Sequence, residues 1–308
     1  MKFSIVVPTY NEEKDIAHTL EVLVALKYPK REIIVVDDST DNTPAIVERY
    51  ADSVRLIHPG GGGRCEARNT GIVQATGDVV CILNADVRPP SDFLERLTAH
   101  YQQGADCVLV AARVSNQGDL FARYVDCIGE VHYADPTSMT WTEGFSCRKE
   151  IALKAGLFPV GFPVPICAGE DGFFGENVRN AGAKTVIDLT IVVDHVAPAS
   201  FAEYWYARKE RGAGSAQVHR FLDKWSFARI FTWNTLKVLR TILYLVTVFP
   251  ALLVCRRAAQ HSERDYADLL PFLYAWTIEQ AAFHVGEWRS TFEIMAKERE
   301  RSFTKGAL

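Results

Sequence analysis

Short apolar runs alternate with longer stretches of helical periodicity through the first third of the chain. The runs have the length of β-strands, and the stretches between them repeat apolar residues at helical spacing, as at Ile16, Leu20 and Leu23. The predicted strands are residues 3–7, 33–36, 54–57, 79–83 and 105–112. The predicted helices are residues 12–26, 43–50, 65–75 and 92–103. This alternation predicts an α/β fold, an open sheet of parallel strands with helices on both faces.

The pattern becomes less regular after residue 112. Three further runs, at 142–147, 185–187 and 191–193, favour strands that extend the same sheet and make it mixed. A loop rich in proline and glycine at 156–165 leads to the acidic pair Glu170-Asp171, before a predicted helix at 174–181. From about residue 200 onward the pattern is helical only. We therefore predict an α/β domain at 1–200 and a basic, amphipathic helical region at 201–308.

One stretch of the helical region, 241–255, has no charged residue over fifteen positions. A bilayer-spanning helix needs about twenty apolar residues, and Pro250 interrupts this stretch. Basic residues flank it on both sides, as is typical of helices at a membrane interface; they are Lys237, Arg240, Arg256 and Arg257. We expect a helix or a helical pair that lies on the membrane surface or dips into it. Packing on the α/β domain and a true spanning helix are the alternatives.

The composition is that of an ordinary globular protein, with 308 residues, 48% apolar and 23% charged, which excludes a disordered chain. The net charge of −4 is unevenly distributed. Residues 205–257 contain ten Lys or Arg and two Asp or Glu, a local charge of +8. This asymmetry predicts an anionic partner for one segment, here an anionic membrane surface, and no nucleic-acid binding by the protein as a whole.

Seven cysteines without a C-x-x-C pair favour reduced thiols in a cytosolic compartment. The chain enters a predicted strand at residue 3, which leaves no room for a signal peptide. We expect a peripheral or monotopic protein at the cytoplasmic face of the cell membrane.

Polar residues follow three of the predicted strands at the point where each strand ends. Thr9 follows the first strand, Asp38 the second, and Asn84 and Asp86 the fourth. Because the carboxyl ends of parallel strands share one edge of a sheet, these side chains are expected to line a ligand crevice. Strand-end turns and helix caps are the simpler explanation of each cluster taken alone.

A run of glycines at 60–63 precedes a predicted helix that carries Arg64 and Arg68 on one face. Glycines let a backbone approach a diphosphate, and a helix N-terminus favours anions. The spacing matches neither the G-x-G-x-x-G of dinucleotide-binding folds nor a P-loop. The run therefore indicates either a diphosphate site of another kind or a flexible turn.

Two positions carry candidate metal and acid–base chemistry. Asn84 and Asp86 lie on one face of a strand end, where a carboxylate can ligate Mn²⁺ or Mg²⁺ and share the ion with substrate phosphates. His195 could add an imidazole, although a lone histidine is ordinarily structural. Glu170-Asp171 is a candidate general base, with a solvated acidic pair as the alternative.

Seven motifs follow one another between about residues 3 and 215: PTYNEE, VVDDSTDNT, GRCEARNTG, GDVVCILNADV, EGFSCRKE, GEDGFF and VDHVAP. Together and in this order they resemble glycosyltransferase family 2, inverting enzymes of the GT-A fold. The resemblance implies a nucleotide-diphosphate sugar as donor and a divalent metal, Mn²⁺ or Mg²⁺, as cofactor.

The resemblance also implies roles for individual residues. Asp86 is similar to the metal-binding aspartate of the family's D-x-D motif, in which Asn84 replaces the first aspartate, and Asp171 is similar to the catalytic base of the pair that Glu170 begins. The residues expected to bind the nucleotide sugar are Pro8, Thr9, Tyr10, Glu12, Asp37, Asp38, Arg64, Arg68, Asn84, Asp86, Arg208 and Arg211. The metal is expected at Asp86 and His195, and the acceptor beside Trp141, Glu143 and Gly144.

These expectations combine into an inverting glycosyltransferase that acts on a hydroxyl of a lipid-linked or membrane-proximal glycan acceptor. The alternatives are a polyprenyl-phosphate glycosyltransferase, a nucleotidyltransferase and a non-enzymatic donor-binding module on the same fold. A processive polysaccharide synthase is disfavoured, because Phe221 stands where the Q-x-x-R-W motif has tryptophan.

Overall fold

The computed structural model describes residues 1–136 and 139–306. In this range eight strands form one mixed sheet: β1 (Phe3–Thr9), β2 (Arg31–Asp37), β3 (Val54–Ile57), β4 (Val79–Ile82), β5 (Val87–Arg88), β6 (Cys107–Val114), β7 (Ser146–Arg148) and β8 (Thr185–His195). Their order across the sheet is β3-β2-β1-β4-β7-β6-β8-β5.

The helices of the described range lie between and after these strands. They are α1 (Ile16–Val24), α2 (Thr43–Glu48), α3 (Gly63–Gln74), α4 (Phe93–Gln102), α5 (Leu120–Tyr133), α6 (Lys149–Lys154), α7 (Glu170–Asn180), α8 (Phe201–Gln217), α9 (Phe227–Thr247), α10 (Phe249–Ala259) and α11 (Leu269–Gly306). A π-helical turn, Val218–Leu222, continues α8, and a 3-10 helix, Asp265–Asp268, precedes α11.

The sheet is parallel on one side and mixed on the other. β1 pairs in parallel with β2 and β4, and β2 pairs in parallel with β3. β7 runs antiparallel between β4 and β6, and β5 runs antiparallel beside β8. The predicted parallel sheet with a mixed extension is therefore confirmed. The carboxyl ends of β1, β2 and β4 meet at one edge.

A continuous apolar core lies between the sheet and the helices that cover it. Phe3, Ile5 and Val7 of β1 are fully buried, as are Leu20 and Leu23 of α1. Burial of each such side chain contributes about 1.5–3 kcal/mol. Each strand and helix predicted before residue 112 is present, with its ends displaced by at most four residues.

The described chain divides into two compact units, each made of three separate segments of the sequence. The first consists of Met1–Ser115, Asp135–Val160 and Asp171–Val196, and it contains every strand. The second consists of Asn116–Ala134, Gly161–Glu170 and Ala197–Leu308. The expected domain boundary at residue 200 stays a prediction, since compactness does not test whether either part folds alone.

Several local features differ from the predictions. α5 was not predicted, although Phe121, Tyr124 and Ile128 repeat at helical spacing. The two short strands expected at 185–187 and 191–193 are one strand, β8, with a bulge where it pairs with β6. Glu170-Asp171 begins α7 instead of lying in a loop, because the turn ends at Gly169, whose φ is +84°.

In the second unit α8 and α11 pack at very short distance because two glycines face the opposite backbone. A Cβ on Gly212 would lie 1.9 Å from the carbonyl oxygen of Phe283, and a Cβ on Gly286 would lie 1.9 Å from that of Lys209. Any side chain at either position would separate the two helices.

A buried ion pair ties α5 to the 3-10 helix in the same unit. Arg123 Nε and Nη2 donate to Asp268 Oδ2 and Oδ1 at 2.7 and 2.9 Å, and both side chains are buried. Burial alone would raise the pKa of Asp268, but the hydrogen bonds from Arg123 and Ser262 outweigh it and lower that pKa. The carboxylate is therefore held in its ionised form.

We expect Asp268→Asn to lower the free energy of unfolding by about 3–5 kcal/mol, because Arg123 would keep a buried, uncompensated charge. Urea unfolding at pH 7 measures the loss. The exposed Asp223→Asn is the control and changes stability by less than about 1 kcal/mol.

The stabilisation by Asp268 also depends on pH. Since the folded-state pKa of Asp268 is lowered, its contribution to the free energy of unfolding is complete at neutral pH. It disappears as the pH falls below about 4, where the unfolded chain takes up the proton first. Equal midpoints for both variants at pH 7 would contradict this account.

Candidate active site

The ends of β1 and β2 are joined through a buried carboxylate. Asp37 is fully buried, and its Oδ1 accepts hydrogen bonds from Thr9 Oγ1 at 2.7 Å and from Ser39 Oγ at 2.6 Å. His58, which the sequence did not single out, places Nδ1 3.0 Å from the Asp37 carbonyl oxygen. These contacts fix the loop after β2, from which Asp38 projects.

The glycine run at 60–63 lies against Asp38. All four glycines have φ between +77° and +106°, a conformation that other residues rarely adopt. The Gly61 N–H donates to Asp38 Oδ1 at 3.0 Å. Asp38 Oδ2 is buried and has no hydrogen-bond partner among the described residues, so it remains available to a ligand donor.

Asp86 and His195 are brought together by the pairing of two short strand ends. Val87 of β5 lies opposite His195 of β8, and the Val196 N–H donates to the Asp86 carbonyl at 3.1 Å. His195 Nε2 therefore lies 3.2 Å from Asp86 Oδ2. Asp86 Oδ1 is buried, and no described group makes a hydrogen bond to it.

This pair fits a divalent cation in part. A buried carboxylate oxygen without a partner is the ligand that Mn²⁺ and Mg²⁺ take, and an imidazole suits Mn²⁺ as a further ligand. Within 1–136 and 139–306, no cluster of three or more His, Cys, Asp or Glu residues could hold an ion alone. The remaining ligands of an ion at Asp86 would have to come from substrate or water.

Asn84 lies between a guanidinium and a carboxyl. Arg68 Nη2 donates to Asn84 Oδ1 at 3.3 Å, and Asn84 Nδ2 donates to Glu143 Oε2 at 2.9 Å. We call these three residues the amide bridge. The Arg68 guanidinium also lies over the rings of Trp141 and Phe158, at 5.3 and 5.0 Å from their centroids.

Charges at the site converge on Glu143. Burial raises the pKa of this carboxyl, and the charges of Asp86 and Asp171 raise it further, while His195 and Arg68 act in the opposite direction. Asp171 therefore belongs to the same group of side chains as the candidate metal site. Its Oδ1 accepts a hydrogen bond from the Gly172 N–H at 2.7 Å.

Glu12 carries a second perturbed carboxyl beside this group. Burial, followed by the charges of Asp86 and Asp15, raises the pKa of Glu12 to about 7. The Arg64 guanidinium, exposed at the start of α3, acts in the opposite direction. Glu12 therefore titrates close to neutral pH, as perturbed carboxyls at functional sites often do.

The expected acceptor residues lie on the segment before β7. The Trp141 ring stacks on Phe145 at 4.4 Å between centroids. Gly144 has φ +80°, and a Cβ there would lie 2.8 Å from Val110 Cγ2. Phe158, which contacts Arg68 and whose backbone bonds Asn69, was not predicted. No sequence motif marks it.

The remaining predicted residues differ in burial and in the unit to which they belong. Pro8 pairs with Val36 near the end of β1, and Tyr10, one residue past that strand, is exposed. Glu170, Arg208 and Arg211 belong to the second unit.

Within that unit Glu170 is fully buried, and Arg211 is exposed. Arg208 is 6% exposed and pairs with Glu279 at 3.2 Å. Burial in this ion pair favours a structural role for Arg208, and its part in donor binding stays a prediction.

Known proteins resemble this chain in sequence. The model of Glycosyl transferase family 2 matches residues 4–168. Glycosyltransferase AglE of Haloferax volcanii is 29% identical over 247 residues, which are 74% of this chain and 77% of that protein. Poly(ribitol-phosphate) beta-N-acetylglucosaminyltransferase TarS of Staphylococcus aureus is 42% identical over 221 residues, which are 69% of this chain but only 36% of TarS. The chain thus spans about a third of TarS.

The fold is shared with solved structures. Mannosyltransferase PcManGT from Pyrobaculum calidifontis, in complex with GDP-Man and Mn²⁺, has a TM-score of 0.64 and 21% identity, covering 95% of this chain and 87% of that one. This likeness confirms the predicted GT-A-type open mixed sheet followed by a helical region. Because the family model covers more than half of its residues, the chain belongs to glycosyl transferase family 2 and is a glycosyltransferase.

Proposed function

We propose that this glycosyltransferase moves a sugar, with inversion at the anomeric carbon, from a nucleoside-diphosphate donor to a hydroxyl of a lipid-linked or membrane-proximal glycan. The observation that carries the proposal is the grouping of Asp86, His195 and Asp171 around Glu143, at the edge where β1, β2 and β4 end. In open α/β sheets this edge is where ligands bind.

Two similar proteins support the donor class. The PcManGT complex contains GDP-Man, and the name of TarS describes transfer of N-acetylglucosamine to poly(ribitol-phosphate). In this chain the Asp38 carboxylate can accept hydrogen bonds from a nucleoside. The exposed backbone of the glycine run can approach a diphosphate. The two examples differ in sugar, so the donor class is proposed without one.

A divalent cation, Mn²⁺ or Mg²⁺, is part of the proposal. The PcManGT complex contains Mn²⁺, and Asp86 Oδ1 offers a buried oxygen of the kind that such ions bind. Asp86 would hold the ion, with His195 as a second ligand. When bound, the ion neutralises charge that develops on the departing diphosphate.

Asp171 acts as general base in the proposed reaction. It accepts the proton of the acceptor hydroxyl, whose oxygen forms the new bond to the anomeric carbon. The bond from that carbon to the donor phosphate oxygen breaks, and the nucleoside diphosphate leaves with the electron pair. Asp171 is partly exposed whereas Glu170 is fully buried, so Asp171 is the better candidate of the two for contact with substrate.

Asp171→Asn should lower turnover at least about 100-fold, since general bases contribute about 10²–10⁴-fold, while donor affinity changes less than about threefold. The readout is release of nucleoside diphosphate from the sugar nucleotide that a screen of UDP- and GDP-sugars selects. The control is Glu176→Gln, an exposed carboxyl on the same helix. An unchanged rate with a hydroxyl acceptor would remove Asp171 from the mechanism.

The same variant separates the proposal from its nearest alternative. If the acceptor is a polyprenyl phosphate, the attacking oxygen is already ionised and needs no base. Asp171→Asn would then reduce turnover less than about tenfold on that acceptor. Release of pyrophosphate in place of a nucleoside diphosphate would instead identify a nucleotidyltransferase.

Asp86→Asn should abolish the metal dependence of nucleotide binding, because an amide is a weaker ligand than a carboxylate for a hard cation. Calorimetric titration with the nucleoside diphosphate, with and without Mn²⁺, measures this. The exposed Asp52→Asn keeps the dependence. If Asp86→Asn retained full Mn²⁺ dependence, the ion would have to bind elsewhere.

We further propose that α9 and α10 hold the enzyme on an anionic membrane at its cytoplasmic face. Within the described residues no single helix is both long and apolar enough to cross a bilayer, and α9 with α10 reaches that length only as a pair bent by 85°. Pro250 lies in the first turn of α10, where its missing N–H leaves no bond unmade. The bend is at Val248, whose φ is +58°.

The pair exposes a run of apolar side chains that water does not favour. They are Leu236, Leu239, Ile242, Leu243, Leu245, Val246, Val248, Phe249 and Leu253. Arg240, Arg256 and Arg257 on the same helices are exposed and can contact anionic headgroups, which is worth about 1 kcal/mol for each cation near the surface. Apolar exposure bordered by arginine matches the chemistry of an anionic lipid surface.

Flotation with vesicles of phosphatidylglycerol and phosphatidylethanolamine tests this placement. The full chain should float with them and much less with phosphatidylcholine alone. The double variant Val246→Glu/Phe249→Glu should reduce the bound fraction about tenfold or more, because a charged side chain in the bilayer costs about 2.5–3.5 kcal/mol. The control is Leu153→Glu, which places the same charge at an exposed apolar residue of α6. A full chain that stays unbound to anionic vesicles would defeat the membrane proposal.

A further inference from the structure

The amide bridge places a guanidinium and a carboxyl on the two sides of one neutral side chain. Asn84 accepts from Arg68 through Oδ1 and donates to Glu143 through Nδ2. A guanidinium cannot accept a hydrogen bond, so Arg68 fixes which end of the amide faces it, and the other end donates to Glu143 Oε2. Arg68 is 2% exposed, and solvent therefore offers the guanidinium little compensation for a lost partner.

An aspartate at position 84 would not fit this arrangement. One of its oxygens would occupy the place of Nδ2, which lies 2.9 Å from Glu143 Oε2. Two carboxylates at that distance repel each other, and partial burial strengthens the repulsion. The amide at position 84 is therefore matched to a carboxylate at position 143.

We propose that Arg68, Asn84 and Glu143 form one positioning unit of the donor site, in which the amide of residue 84 aligns the Glu143 carboxyl with Arg68. The inference rests on the proposed donor-binding function. It adds to that function a set of three residues that position one another through hydrogen bonds. Asp86 and His195 act on the charge of Glu143, so a misplaced charge in the unit changes the field at the candidate metal ligands.

A charge exchange between positions 84 and 143 tests the unit. Asn84→Asp should weaken nucleoside-diphosphate binding at least tenfold, equivalent to about 1.4 kcal/mol, although it adds a carboxylate to a site expected to bind a cation. Glu143→Gln should weaken binding about two- to fivefold, since Gln can still accept from Asn84. The double variant Asn84→Asp/Glu143→Gln should return to within about threefold of the unaltered protein, because a carboxyl and an amide again face each other across this contact.

Calorimetry with UDP or GDP and Mn²⁺ measures the affinities, and thermal unfolding without ligand shows whether each variant is folded. A positioning role predicts that donor KM rises in Asn84→Asp while kcat changes less than about threefold. A purely structural role would lower the melting temperature and leave the affinity of the folded fraction unchanged. If Asn84→Asp does not fold, Asn84→Ala and Glu143→Ala with their double variant complete the same cycle.

The chain offers a matched control for the chemistry of the exchange. Asn42 Nδ2 donates to Glu13 Oε2 at 3.0 Å in an exposed pair. In the cycle of Asn42→Asp and Glu13→Gln, the coupling between the two changes in nucleoside-diphosphate affinity should be below about twofold, because water screens exposed charges.

If the changes at 84 and 143 altered nucleotide affinity independently, so that their effects multiplied in the double variant, the proposed positioning unit would be overturned. This would hold even if the protein binds nucleotide well. Failure of the unaltered protein to bind any nucleoside diphosphate would overturn both the unit and the proposed function.

Discussion

Carboxylates gathered at a partly buried sheet edge repel one another unless positive charge is brought to them, and the site of this protein depends on that constraint. Burial raises the pKa of Glu12 and of Glu143, and the charge of Asp86 contributes to both shifts. Arg68 and His195 compensate in part. Asp86 Oδ1 still has no hydrogen-bond partner in the described chain. We infer that the remaining compensation comes from a cation that arrives with the donor, which makes metal and substrate binding interdependent.

The backbone supports this arrangement through the order of the strands and through the pairing of the two-residue strand β5 with β8. The parallel strands β1, β2 and β4 deliver Thr9, Asp37 and Asp86 to one edge. The two residues of β5 pair with the end of β8 and thereby bring His195 to Asp86. The candidate site is thus assembled from loops that the sheet holds in place.

Much of this was predictable from the sequence, for physical reasons. Apolar runs such as 33–36 identify buried strands directly, and polar residues at their ends predict a site at the edge where parallel strands end. The placement of His195 beside Asp86 depends on a two-residue strand, too short for any periodicity. The pairing of Asn84 with Glu143 crosses 59 positions of the chain, and no local pattern encodes it. The helix α5 was missed although its apolar residues repeat at helical spacing; its N-cap residue, Asp119, makes no side-chain cap.

The most direct test of the account is a crystal structure of the protein with a nucleoside diphosphate and Mn²⁺, with diffraction recorded at a wavelength where manganese scatters anomalously. The account predicts an anomalous peak within about 2.3 Å of Asp86 Oδ1, shared with the diphosphate oxygens and lying near His195. A nucleotide bound away from Asp38 and Asp86, or a manganese peak that does not touch Asp86, would contradict it.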